Sequence, residues 1–505
     1  QGKERLREVV DGHLQRVSAR SAVFFAEQLA CLSEEEQDCL RLARCYHLCK
    51  QSRRAVKLLR DRRMLGGEGE ALLLAGVCLL ECREWEECLE LLGEQQPAPL
   101  PELPRSELRS ALCVLRAKAY GKLDQRSQAR QQWMLALQFD PLCYEAYEAL
   151  TDQHLISGED ERCLVKGLPF TAEEEAVREL YGARLAKYEQ GGEAHLAATR
   201  ARLSLDDCGY LEAAEAELLY FHGRYREAYE VARRLLARDP YNESAATVVH
   251  VSAMVELRLK NELFFRAHQL VDAAPDQAVS WYAVACYYLS IKDYEKARTY
   301  FHKTSQMEPS YGPAWMGFGH AFAAQGEHDQ AMAAYRTGLR VLSGSYLPPL
   351  FIGMELIRVN NLNHAEQFVL QAREVCTYDP LVWNELGVIA LRMKHFEEAV
   401  QHFSKALSLC TDSSTETWEA ATCNKGHALR KLGRYEEALA EYHAAQERDP
   451  SSAHVLTALA FTSHLQGRLD QAATYYHSAL AQAPGDRFCQ EMLQLCLSAI
   501  ISPQF

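Results

Sequence analysis

Residues 312–339 read GPAWMGFGHAFAAQGEHDQAMAAYRTGL, and this stretch decides the fold. Trp315, Phe318, Gly319 and Phe322 fall at i, i+3, i+4 and i+7, so they share one face of a helix. Ala323 to Glu327 supply a turn. Ala331, Tyr335 and Gly338 then put small and aromatic residues on one face of a second helix. Small residues are needed where two helices cross, because a larger side chain there would push the backbones apart. The stretch therefore predicts a helical hairpin.

The hairpin is repeated. Its alanine recurs at Ala297, Ala331, Ala365 and Ala399, each 34 residues after the last, and after one longer step at Ala438 and Ala472, again 34 apart. Neighbouring positions repeat with it: Trp281, Ala285 and Phe301; Gly353 and Ala372; Trp383, Gly387 and Phe403; Gly426, Tyr442 and Ala445; Ala460, Tyr476 and Ala479. A 34-residue helical-hairpin period is that of the tetratricopeptide repeat. The sequence thus predicts an all-α tetratricopeptide-repeat solenoid, a right-handed superhelix of antiparallel helix pairs. Proline cannot continue a helix, so the pairs Asp140-Pro141, Asp239-Pro240, Asp379-Pro380 and Asp449-Pro450 mark the starts of new hairpins.

Outward from this block the pattern weakens. Residues 1–96 read as a degenerate N-terminal array of three hairpins. Residues 97–109 read as a proline-rich loop, with Pro97, Pro99, Pro101 and Pro104 close together. Residues 110–208 hold one better repeat (Ala117, Tyr120, Ala129, Trp133) and then irregular helices, where Thr171 and Glu174 have capping-box spacing. Residues 209–486 form the C-terminal superhelix. Within it, Thr411 to Thr415 is a polar insertion that lengthens one step. Residues 487–500 read as an amphipathic helix closing the array.

Composition narrows the function. The 505-residue chain carries a net charge of −14, which opposes a general nucleic-acid or anionic-membrane binder. No apolar run approaches the ~20 residues that span a bilayer. The 17 cysteines are scattered on apolar faces. The pairs Cys45/Cys49 and Cys78/Cys82 lack a second ligand pair at zinc-site spacing, so neither metal nor cofactor is expected, and a reducing compartment is. The 18 histidines are dispersed. No phosphate-cradling glycine loop or nucleophile elbow is present, and repeats occupy nearly all of the chain. An enzyme is not expected.

A solenoid offers a concave surface lined by the first helix of each hairpin. Counting those helices from Ala278, Gly312, Tyr346, Pro380 and Glu419, positions 2, 5, 9, 12 and 13 should face the groove. They include Tyr282, Cys286 and Leu289; Met316 and His320; Leu350 and Met354; Asn384 and Val388; and His427. The groove is mostly apolar, which suits an extended or helical segment with apolar anchors. Its cations are Arg358, Arg392, Arg430 and Lys431, too few for an adaptor that grips acidic chaperone tails.

Some strings go beyond the repeat: Ser21-Ala-Val-Phe-Phe-Ala26, Asn261-Glu-Leu-Phe-Phe265, His268-Gln-Leu-Val-Asp272, Val279-Ser-Trp-Tyr-Ala-Val284, Tyr311-Gly-Pro-Ala-Trp315, His328-Asp-Gln-Ala-Met-Ala-Ala-Tyr335, and Gly426-His427 with Arg430-Lys431-Leu432. Together they resemble the cell-division-cycle-sixteen type subunits of the anaphase-promoting complex. The resemblance implies a non-catalytic scaffold of that cell-cycle ubiquitin ligase. It implies a homodimer through the N-terminal repeats, and a small accessory subunit enclosed in the C-terminal superhelix. It also implies packing against other tetratricopeptide subunits, with no nucleic acid and no membrane, in nucleus and cytoplasm and on the spindle. Asn424 joins the groove residues on this ground. Lys425 departs from the pattern, which wants an apolar residue before Gly426. The competing expectation is a tetratricopeptide adaptor or co-chaperone that reversibly captures short peptides.

Overall fold

A computed structural model describes residues 2–16, 18–33, 35–66, 69–93, 106–188, 191–205, 207–240, 245–410 and 415–501. Among them there are twenty-nine α-helices and no strand. The chain divides into two compact units, residues 1–156 with 160–179, and residues 157–159 with 180–505.

The first unit begins with hairpins α1 (Gly2–Gln15) and α2 (Ala19–Leu32), α3 (Glu36–Leu48) and α4 (Ser52–Asp61), and α5 (Gly69–Glu81) and α6 (Trp85–Leu92). Hairpin α7 (Ser106–Lys122) and α8 (Arg126–Phe139) follows, then α9 (Tyr144–Asp152) and α10 (Gly158–Gly167). Pro97 to Pro104 lies outside the described residues. Ser106 to Arg109, expected in that loop, already form the first turn of α7.

The stretch 157–207, within the region where irregular helices were expected, holds three: α10, α11 (Glu175–Leu185) and α12 (Gly192–Leu203). Half of the capping box at Thr171 is made, since the Thr171 N–H donates to Glu174 Oε2 at 2.9 Å. The helix nevertheless starts four residues later, at Glu175. The carboxylate closes a turn ahead of the helix.

The second unit is a run of hairpins: α13 (Gly209–Phe221) with α14 (Tyr225–Arg238), α15 (Ala245–Glu256) with α16 (Lys260–Ala273), α17 (Ala278–Ser290) with α18 (Tyr294–Met307), α19 (Gly312–Ala324) with α20 (His328–Val341), α21 (Leu347–Arg358) with α22 (Leu362–Val375), α23 (Pro380–Arg392) with α24 (Phe396–Leu409), α25 (Thr415–Lys431) with α26 (Tyr435–Arg448), and α27 (Ala453–Leu465) with α28 (Leu469–Gln482), ending on α29 (Arg487–Ile501). Thr411 to Ser414 lies outside the described residues, and Thr415 opens α25.

Four devices recur and explain the repeat. The periodic alanine of the second helix is fully buried in all six copies, so the hairpins close on a methyl group. The glycine of the first helix receives a ring from the second. A Cβ on Gly319, Gly387 or Gly426 would sit 2.2 Å from Tyr335, 2.5 Å from Phe403 or 2.5 Å from Tyr442, respectively. The tryptophan four residues into the first helix ties down the loop before it. Trp281 Nε1 donates to Pro275 O (2.7 Å), Trp315 Nε1 to Pro309 O (3.0 Å) and Trp383 Nε1 to Thr377 O (2.8 Å). The aspartate of three Asp-Pro pairs accepts the N–H two residues on, at Leu142 (3.0 Å), Leu381 (2.7 Å) and Ser451 (3.1 Å). This local turn starts the next hairpin. The exception at Lys425 is resolved by an ion pair within its own hairpin, with Nζ 2.7 Å from Glu441 Oε1.

Candidate partner groove

The wall of the groove is read best from position 9 of each first helix, the residue after the crossing glycine or, on α17, after Ala285. Cys286, His320, Met354, Val388 and His427 occupy it on α17, α19, α21, α23 and α25. Cys286 is buried; the other four are half-buried, with a face left open. Leu289 and Asn424 are half-buried as well.

Position 5 behaves differently from expectation. Tyr282, Met316, Leu350 and Asn384 are only 8, 8, 0 and 4 % exposed in the lone chain. Leu350 offers a partner no surface, so its assignment to the groove lining is corrected. The reason is geometric. Position 5 turns towards the adjoining hairpin, and Leu350 and Met316 share a core with Val382 and Leu386. Tyr282 likewise packs with Phe301 and Tyr311 at ring separations of 6.1 and 5.6 Å. These residues hold consecutive repeats together beneath the groove.

The structure brings His320 and Met354 into one open cleft of about 550 Å³, with Tyr335, Phe351, Glu355, Arg358 and His328 around them. Phe351 stacks on Tyr335 at 5.6 Å and meets the edge of His320 at 4.6 Å. Glu355 is 2 % exposed and fully engaged: Oε2 lies 2.6 Å from His328 Nδ1, and Oε1 accepts from Arg358 Nη1 at 2.6 Å. A buried carboxylate needs such partners. Phe351 and Glu355 were missed because position counting excludes them, and only the packed hairpin shows that they line the cleft.

His320 and His427 are built alike. His320 Nδ1 is 2.8 Å from Tyr335 Oη, and His427 Nδ1 is 2.7 Å from Tyr442 Oη. Burial, aided by Arg358, pushes His320 down to about 4. Burial, aided by Arg430, His454 and Lys431, does the same to His427. Both rings are therefore neutral at physiological pH, so the groove wall there is polar but uncharged. Where the second helix offers Val369 or Phe403 in place of tyrosine, position 9 is Met354 or Val388. From α19 to α26 the groove residue changes with the core residue below it.

The row continues past the last position read from sequence. Steps of 34 from His427 reach Phe461 and Leu495. Phe461 meets Phe488 at 5.5 Å, and Phe488 and Leu495 are 45 and 58 % exposed. The period itself was the signal. The last helix thus carries an exposed apolar strip. Among the described residues, no group of three or more His, Cys, Asp or Glu is placed to hold a metal ion, and no helix is long and apolar enough to cross a membrane.

Fold and groove define a tetratricopeptide scaffold, a class whose surfaces hold other chains. The tetratricopeptide-repeat profile matches residues 282–340 and 423–487, with a second such profile at 380–413. Residues 16–95 match the family described as anaphase-promoting complex, cyclosome, subunit 3. The chain is 37 % identical to anaphase-promoting complex subunit 6 of Arabidopsis thaliana over 98 % of its own length and 96 % of that protein. It is 34 % identical to the human cell division cycle protein 16 homolog over 99 % of its length and 84 % of that protein. A solved structure, the anaphase-promoting-complex hetero-tetramer Cut9–Hcn1, superposes with a TM-score of 0.84 at 32 % identity, covering 98 % of this chain and 96 % of that one.

The chain belongs to the subunit 6/cell division cycle 16 family of the anaphase-promoting complex. It is a cell-cycle subunit of that ubiquitin-ligase assembly, part of its tetratricopeptide scaffold and not an enzyme.

Proposed function

We propose that the N-terminal array pairs two copies of this chain, and that the groove from α17 onward encloses a small accessory subunit. Other faces then hold the neighbouring tetratricopeptide subunits. The observation that carries the reading is the full-length likeness to a chain solved as a hetero-tetramer with a second component. The groove supports it: half-buried apolar and neutral polar side chains on successive helices, with an open cleft at His320 and Met354, suit an extended segment. Work in nucleus and cytoplasm, and on the mitotic spindle, accords with the cell-cycle role and is part of the proposal.

The test is gentle affinity purification from dividing cells, with composition and stoichiometry read by native mass spectrometry. The expected result is two copies of this chain, a very small chain, and further subunits of the assembly. Met354→Asp should release the small chain while leaving the helical circular-dichroism signal intact, because it sets a charge against an apolar segment. A monomer recovered with chaperones or exchangeable peptides would overturn the reading in favour of a peptide-capturing adaptor.

A further inference from the structure

The groove changes chemistry half-way along. The last residue of each first helix is Ser290, Ala324, Arg358, Arg392, Lys431 and Leu465 in α17, α19, α21, α23, α25 and α27. Three consecutive repeats therefore end in a cation, flanked by repeats that do not. All three cations are exposed. A basic residue at a helix C-terminus complements the helix dipole, but α17, α19 and α27 do without one. The second helices from α18 to α24 end in Met307, Val341, Val375 and Leu409.

The cations have contacts of their own, and these leave capacity. Arg392 Nη1 donates to Ile357 O at 2.6 Å. Arg358 holds Glu355, yet its side chain remains 49 % exposed. A guanidinium has five N–H donors, so most of each fork is free for a ligand. Two acids beside Arg358 and Arg392 are withdrawn. Glu355 is fully engaged, and Glu385 is 9 % exposed, accepts from Asn384 Nδ2 at 3.0 Å, and is pushed above the usual carboxylate range by its burial. In a chain of net charge −14, this wall presents cations.

Resting on the groove reading above, we propose that the segment bound across α21, α23 and α25 is acidic, with carboxylates facing Arg358, Arg392 and Lys431, while its part over α17 and α19 is apolar. Adjacent packed helices lie about 10 Å apart. One carboxylate per rung then corresponds to about three residues of extended chain. The charge step also fixes the direction in which the segment lies.

The probes are three fluorescein-labelled peptides of repeating Leu-Xaa-Ala, with Xaa as Glu, Gln or Lys, titrated against the full chain by anisotropy. The Glu peptide should bind about tenfold tighter than the Gln peptide, as three exposed ion pairs imply, and the Lys peptide more weakly than either. The preference should shrink with added salt and vanish in the R358Q/R392Q/K431Q variant. Val388→Asp, on the groove wall, should weaken all three. Equal binding of the Glu and Lys peptides, or a Glu preference that survives the triple variant, overturns the acidic segment and leaves the groove standing. Val388→Asp without effect on any peptide overturns the groove and the acidic segment with it.

Discussion

At Gly426 a single hydrogen atom decides whether a hairpin closes. A methyl group there would lie 2.5 Å from the Tyr442 ring, and Tyr442 is fully buried and linked to His427. Gly426→Ala must displace that ring and its hydrogen bond. Overpacking of this kind costs about 1–3 kcal/mol, and the urea midpoint should fall accordingly. The histidines give a second prediction. The rings of His250, His320 and His427 are each pushed down to about 4, chiefly by burial, against about 6.5 in the unfolded chain. Between those values the unfolded state binds more protons, so stability rises with pH and is lost as pH falls through the window. Each ring contributes a slope of up to about 1.4 kcal/mol per pH unit, discounted for the partial exposure of His320 and His427. Urea midpoints at a series of pH values should show this slope, and His320→Gln with His427→Gln should flatten it without abolishing it, since His250 remains. A slope unchanged in the double variant would mean that these two rings titrate normally.

At the level of the element, the C-terminal hairpins each turn through one residue of left-handed backbone. In the C-terminal repeats this residue is Lys292, Gly326, Asn360, Lys394, Gly433 and Gly467, with φ between 61° and 79°. Side chains other than glycine are strained there. Lys394→Gly should therefore raise stability by about 0.5–1 kcal/mol, the strain relieved less the added freedom of the unfolded chain. Calorimetry would read this as a higher melting temperature, and a lower one would show that Lys394 makes a contact worth more than its strain. The tryptophan tie predicts the opposite sign: Trp383→Phe keeps most of the apolar surface but leaves the Thr377 carbonyl without its partner, at a cost of about 1 kcal/mol. Helix pairing, turn spacing and the crossing residues were legible from the 34-residue period, because each is fixed by contacts inside one hairpin. Position 5 was not. Whether Leu350 faces a ligand or the adjoining repeat depends on how hairpins stack, which period alone leaves open. Phe351 and Glu355 were hidden for the same reason, whereas Phe461 and Leu495 lay in plain view of the period.

Within the second unit, stability is passed from hairpin to hairpin, since each repeat packs chiefly on its sequence neighbours and stability is close to a sum of repeat and interface terms. The core that joins α19 to α23 shows this: Leu386 is buried with Leu350, Ile352 and Val382, whereas the core at the far end joins Leu456, Tyr476, Cys489 and Cys496. Leu386→Ala removes about 2–5 kcal/mol of packing from one such join. A molecule with a single undivided core would lose that amount everywhere. A chain of coupled repeats should lose it locally. Amide hydrogen exchange should accelerate in α21 to α24, less in α19 and α25, and hardly at all in α13, α14, α28 and α29. The same substitution then separates two uses of the molecule. If the small subunit lies along the groove as proposed, it spans several repeats and ties them together, so its presence should restore protection in α21 to α24 by mass action. Protection that returns only at the helices carrying Arg358, Arg392 and Lys431 would mean a short ligand held by charge, and protection that does not return would place the small subunit elsewhere.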